Sequence, residues 1–316
     1  MSFLAVSLLL AVQEYKPIEG PFKTEFNRDL TITREGRDRP IEVRATWPVG
    51  PGPFPVIVMS HGMGGSKDVG EPLVKCWASN GYVVLAPTHL DSFAYMDADQ
   101  RKDYLAGKSG SLAMNYASRP QDVSALIDQV GELEKQEPRL KGKMDLKHLA
   151  MAGHSFGAHT TMLIAGTKMI AGSRSQSFVD PRFQCALMLS PQGKGRTLTE
   201  ESWKSVTIPI MVVSGTEDKS VMDRDVEPVD RQDPYKYAAS KDKYLVWIEG
   251  ANHGLGGISG NLRRQENYDH PEILTWVQTA ALAFFDAYIK NDAKAKAYLA
   301  SDNLPNLAKG KLTLKR

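Results

Sequence analysis

The run Gly153-His154-Ser155-Phe156-Gly157 is the strongest chemical signal in this chain. An apolar, strand-like run precedes it and helix-forming residues follow, so the serine would stand on a sharp strand-to-helix turn with its hydroxyl exposed above a sheet. Glycines two positions to either side would let neighbouring chain approach that turn closely. A serine hydroxyl is a weak nucleophile at neutral pH. It needs an imidazole within hydrogen-bond reach and a third group that fixes the tautomer of that imidazole. The chemistry such a set performs is acyl transfer through a covalent intermediate.

Where a nucleophile elbow of this kind is found, the acid and then the histidine follow the serine in α/β-hydrolase order. Of the seven histidines, His159, His253 and His270 follow Ser155. His159 falls in the helix that the elbow opens, and His270 precedes Pro271 at a helix start, where a surface or capping residue is expected. His253 stands in Gly250-Ala251-Asn252-His253-Gly254, a glycine-rich loop just beyond the last long predicted strand, and is the candidate base. Asp218 closes Ser214-Gly215-Thr216-Glu217-Asp218 at the carboxyl end of a strand that begins at Ile210, and is the candidate acid. The competing reading gives Asp218 a helix cap or a turn.

The transition state also needs amide donors aimed at the developing oxyanion. The backbone amide of Phe156, directly after the nucleophile, is one candidate. His61-Gly62-Met63-Gly64, a glycine-rich loop after the first long buried strand, offers Met63 as the second; the alternative is a tight turn into the next helix. His89 and Asp91 follow a central strand as pocket-lining or structural residues. Trp203, Trp247 and Phe93 read equally well as acyl contacts or as core.

These residues need a scaffold, and the pattern supplies one. Phe26 to Thr33 and Ile41 to Trp47 alternate in a strand-like way about a turn-forming stretch, which predicts an antiparallel N-terminal hairpin. Continuous apolar runs follow at Pro55 to Ser60, Tyr82 to Ala86, His148 to Ala152, Cys185 to Leu189, Ile210 to Ser214 and Tyr244 to Ile248. Such runs suit a parallel sheet buried on both faces. Helices are expected around Pro72 to Ser79, Pro120 to Leu133, after Ser155, and from Pro271 to Lys290. The sum is an α/β chain with a mostly parallel, doubly wound sheet. Asp91 to Arg119 and Lys219 to Asp242 resist assignment and read as loops or small insertions, the first leaving a strand end where active sites form.

Bulk properties exclude several functions. At 316 residues, 42% hydrophobic and 24% charged, the chain has ordinary globular composition. A net charge of +2 without a basic patch gives no footprint for nucleic acid. The basic stretch from Lys309 to Arg316 reads as a solvated end. Cys76 and Cys185 look like small core residues, not a disulfide, and no ligand cluster suggests a metal or cofactor. Met1 to Val12 is apolar, too short to span a membrane and long enough for a secretory signal, so export is expected with residues 1–13 as the leader and a single domain over 22–316.

Ser60-His61-Gly62-Met63-Gly64 together with Gly153-His154-Ser155-Phe156-Gly157 resembles the dienelactone-hydrolase-like and platelet-activating-factor acetylhydrolase group of α/β-hydrolases. The similarity runs from about Phe22 to Lys290 and includes Arg119-Pro120-Gln121-Asp122-Val123 before a helix. It implies the α/β-hydrolase fold and ester substrates, small or polymeric. Dienelactone hydrolases proper use cysteine where this chain has Ser155. In the acetylhydrolases the acid follows the strand after the elbow, where Leu189-Ser190-Pro191 stands here; Asp218 matches the more usual place one strand later, shared with cutinases and bacterial polyester hydrolases. The resulting expectation is an esterase without metal or organic cofactor. Its rivals are acyl transfer or peptide cleavage on the same triad, and a non-catalytic binding protein on a hydrolase fold.

Overall fold

A computed structural model describes residues 15–106, 116–195, 197–219, 227–258 and 270–316. The expected leader lies outside these residues. In chain order the strands are β1 (Thr24–Ile32), β2 (Ile41–Pro48), β3 (Phe54–Ser60), β4 (Val83–Pro87), β5 (Met144–His154), β6 (Met169–Ala171), β7 (Arg174–Gln176), β8 (Phe183–Leu189), β9 (Ile210–Glu217), β10 (Lys243–Asn252) and β11 (Leu312–Lys315). The helices are α1 (Glu71–Ser79), α2 (Ala98–Leu105), α3 (Ser118–Asp128), α4 (Val130–Gln136), α5 (Phe156–Ile164), α6 (Asp233–Tyr237), α7 (Pro271–Tyr288), α8 (Ala293–Ala300) and α9 (Asn303–Leu307).

Nine strands form one sheet in the order β1-β2-β4-β3-β5-β8-β9-β10-β11. The pairs from β4 through β10 are parallel, and β1 with β2, β2 with β4, and β10 with β11 are antiparallel. This is the α/β-hydrolase fold. Strand period two sorts the apolar runs into two layers. From β3, Ile57 and Met59 face a core shared with Trp77 of α1 and Phe284 and Phe285 of α7. Val56 and Val58 face the opposite core with Val123 and Leu126 of α3 and Leu133 of α4. On that second side Ala158 and Met162 of α5 pack on Ala186 and Met188 of β8.

Two expectations need correcting. The helix expected over Pro120 to Leu133 is two helices, because Gln129 leaves helical geometry (φ −113°, ψ 23°) and its side-chain amide donates to the Thr33 carbonyl at 2.6 Å. The break keeps Val130 and Leu133 on the sheet. The stretch Lys309 to Arg316 is not a solvated end. Leu312–Lys315 is an edge strand on β10, with Leu312 and Leu314 buried and Thr313 and Lys315 outward. Leu-Thr-Leu-Lys is a period-two pattern, and the outward lysine hides it in a charge count. Both cysteines are buried free thiols. Among the described residues no helix is long and apolar enough to cross a membrane.

Candidate active site

The candidate nucleophile, acid, base and β3 loop leave the carboxyl edge of the parallel sheet, where strand ends diverge and open α/β folds bind ligands. Ser155 follows β5, the loop from His61 follows β3, Asp218 follows β9, and His253 follows β10. Ser155 sits at φ 56°, ψ −119°, a strained backbone for a residue with a side chain. The turn is tight enough that a Cβ on Gly153 would lie 2.1 Å from the Gly157 carbonyl oxygen.

The three residues singled out in the sequence are in contact. His253 Nε2 lies 2.9 Å from Ser155 Oγ, and His253 Nδ1 lies 2.8 Å from Asp218 Oδ1. Asp218 is fully buried, whereas neighbouring Glu217 is exposed. Ser214 Oγ donates to Asp218 Oδ2 at 2.7 Å, and Arg231 Nε stands 2.8 Å from Oδ1 and donates to the Asp218 carbonyl at 2.7 Å. Burial works to raise the pKa of this carboxyl. The hydrogen bond from His253 and the charge of Arg231 outweigh it and hold the group below its ordinary value.

His154, inside the elbow motif, has a second task. Its Nε2 lies 2.7 Å from the His253 carbonyl oxygen, so that nitrogen must carry the proton and donate. Burial, then the neighbouring His253, push its pKa down to about 3, so the ring stays neutral and anchors the His253 loop. Arg231 in turn ties Asp218 to the loop after β8 by donating to the carbonyls of Ser190 and Pro191 at 3.1 and 3.0 Å.

The β3 loop lies over the elbow: a Cβ on Gly62 would stand 3.4 Å from Ser155 Cβ. Phe156 is the first residue of α5, so its amide has no acceptor within the helix. Met63 is half-buried against Phe93, Met96 and Tyr104. Beneath the loop, His89 is structural and not pocket-lining. It is fully buried, with Nδ1 3.0 Å from Asp122 Oδ2 and Nε2 3.0 Å from Ser60 Oγ. Asp91 is likewise buried and paired with Arg119.

Trp203 is fully buried core, Trp247 is half-buried beside the same cluster, and Phe93 borders Met63. His270 is exposed and pairs with Glu272 at 3.3 Å, apart from the contacts among Ser155, His253 and Asp218. His159 is buried between Tyr116 and Phe156. Among the described residues no group of three or more His, Cys, Asp and Glu is disposed to hold a metal.

A sequence model of "Platelet-activating factor acetylhydrolase, isoform II" matches residues 39–129, which include the β3 loop, His89, Asp91, Arg119 and Asp122 but not the elbow. This chain is similar to the platelet-activating factor acetylhydrolases. The protein of that name from Cavia porcellus is 22% identical over 274 residues, covering 76% of this chain and 58% of the relative. The one from Canis lupus familiaris is 24% identical over 165 residues, covering 43% of this chain and 34% of the relative. The chain thus spans little more than half of the guinea-pig acetylhydrolase.

Sequence reasoning gave no role to His154, Arg119 or Arg231. His154 and Arg119 stand inside recognisable motifs, but nothing in a one-dimensional pattern says that a side chain reaches a carbonyl on another loop. Arg231 lies in a segment that reads as a loop and carries no signal at all.

Proposed function

We propose that the chain is a serine esterase that cleaves carboxylic esters through an acyl-enzyme. The observation that carries this reading is the unbroken hydrogen-bond chain from Ser155 Oγ through His253 to Asp218, 2.9 and 2.8 Å long, at the open edge of the sheet. Asp218 accepts from Nδ1–H and so leaves the Nε2 lone pair facing the serine.

In the proposed cycle, Ser155 Oγ bonds to the ester carbonyl carbon while its proton passes to His253 Nε2. The carbonyl π pair moves onto oxygen, and the amides of Met63 and Phe156 hold the resulting oxyanion. The pair returns, the carbon–alkoxy bond breaks, and His253 gives its proton to the leaving oxygen. Water then attacks the acyl group, losing a proton to His253, and the second tetrahedral intermediate releases the acid and restores the serine. Both relatives are named acetylhydrolases, so a short acyl group is the proposed preference.

A panel of nitrophenyl esters of increasing acyl length, with Ser155→Ala alongside, tests the reading. Wild-type protein should turn over the short esters fastest and take up a fluorophosphonate label. Ser155→Ala should take up none and lose roughly four to six orders of magnitude in activity. A variant that keeps more than about a tenth of wild-type turnover would remove Ser155 from the reaction.

A further inference from the structure

Arg119 touches the supports of both proposed oxyanion donors. Nη1 donates to the His61 carbonyl at 2.6 Å and Nη2 to the Gly62 carbonyl at 3.3 Å. On its other side the guanidinium is held by Asp91, with Nε to Oδ1 at 2.9 Å and Nη2 to Oδ2 at 2.5 Å. The carbon of the same guanidinium lies 4.3 Å from the centre of the Phe156 ring. Arg119 and Asp91 are both buried, at 2% and 4% exposure, so neither is a surface ion pair screened by water.

The peptide unit is planar and trans, so an N–H points opposite to the carbonyl of the preceding residue. Fixing the Gly62 carbonyl therefore fixes the direction of the Met63 amide. His61 adds to the grip. Its Nε2 accepts from the His89 amide at 3.0 Å, which leaves the proton on Nδ1, 2.6 Å from the Gly62 carbonyl. Burial, with the Arg119 charge next, keeps His61 well below its usual pKa, so this tautomer persists. Phe156, meanwhile, is held through its ring, which lies under the same cation.

We propose that Arg119, braced by Asp91, is a positioning residue that sets the two oxyanion amides of Met63 and Phe156 relative to each other. The inference rests on the serine-esterase reading above. A planar fork of five donors can meet two successive carbonyls and a carboxylate at once. A lysine ammonium supplies the charge without that shape. The benefit falls on the transition state, because the ground-state ester does not need donors aimed at a tetrahedral oxygen.

The test is Arg119→Lys, with isosteric Asp91→Asn as the second variant. Steady-state kinetics on a short nitrophenyl ester are measured beside inhibition by a trifluoromethyl ketone, which forms the tetrahedral oxyanion, and by its non-fluorinated methyl ketone. For Arg119→Lys we expect kcat to fall by about a hundredfold with KM within about threefold of wild type. Trifluoromethyl ketone affinity should fall by the same factor as kcat/KM, methyl ketone affinity should hold, and the acid limb of the pH profile should not move. Asp91→Asn should show the same pattern with a smaller factor, and it decides the matter if the lysine variant does not fold. A folded variant with kcat within about threefold of wild type overturns the proposal. So does a loss shared equally by both ketones, KM and melting temperature, which is the mark of general loosening. Failure of the esterase reading is separate, since it would appear as Ser155-independent turnover or as wild-type protein that no fluorophosphonate labels.

Discussion

Gly157 packs so closely on Ser60 that a Cβ built on it would lie 2.0 Å from the Ser60 carbonyl oxygen and 2.8 Å from that of His61. The first turn of the helix after the elbow is thereby pressed against the end of β3, which launches the proposed oxyanion loop. Both obstacles are backbone, so neither can move aside as a flexible side chain would. Gly157→Ala should therefore cost about 3 kcal/mol or more and cripple turnover together with stability. Gly131 is the control, because it lies in α4 with open space around its missing Cβ. Gly131→Ala should gain about 0.5–1 kcal/mol. Chemical denaturation of the two variants checks both signs, and a tolerated Gly157→Ala would mean that the elbow and the β3 loop are further apart than described.

Asp218 and Glu217 are adjacent carboxylates with opposite environments, one buried on His253 and the other in solvent. Asp218→Asn should lower kcat by about three to four orders of magnitude, since an amide can hold the imidazole in the wrong tautomer. Glu217→Gln should cost less than about tenfold. Steady-state rates on one ester suffice. The reverse ranking would leave the serine and histidine in place and name the wrong acid.

Stability should fall on mild acidification, and buried histidines are the reason. His154 and His159 are each held down to about 3 from an ordinary 6.5 by burial. Between those values the unfolded chain binds protons that the folded chain refuses, so folding stability rises with pH across the window and is lost as pH falls from about 6.5 towards 3. Every tenfold difference in proton affinity between the folded and unfolded chain is worth about 1.4 kcal/mol, and buried His61 and His89, whose pKa values burial also lowers, add to the same trend. Asp91, held at about 2, adds loss only below the usual carboxylate range. His154→Gln keeps a donor for the His253 carbonyl while removing one titrating ring. Urea melts between pH 7 and 4 should show a shallower slope for this variant, and an unchanged slope would take His154 out of the account.

The sequence alone determined the order of the hairpin and the six parallel core strands, and the identity of the residues that meet at their ends. A strand-turn-helix context around Ser155, apolar runs that precede His61, Asp218 and His253, and period-two alternation in the hairpin are local patterns, and local patterns survive in one dimension. Because every one of those residues follows a strand of the same parallel sheet, reading the strands correctly was enough to bring them to one edge. Tertiary structure decided what no spacing encodes. The β11 strand needed β10 to pair with, and the break at Gln129 answers to a carbonyl at Thr33. The bonds from His154 to the His253 carbonyl, from Arg231 to the Asp218 carbonyl, and from Arg119 to the His61 and Gly62 carbonyls all cross between different segments of the chain. Their partners are backbone oxygens, which every residue carries, so no residue type in the sequence marks where they will be found.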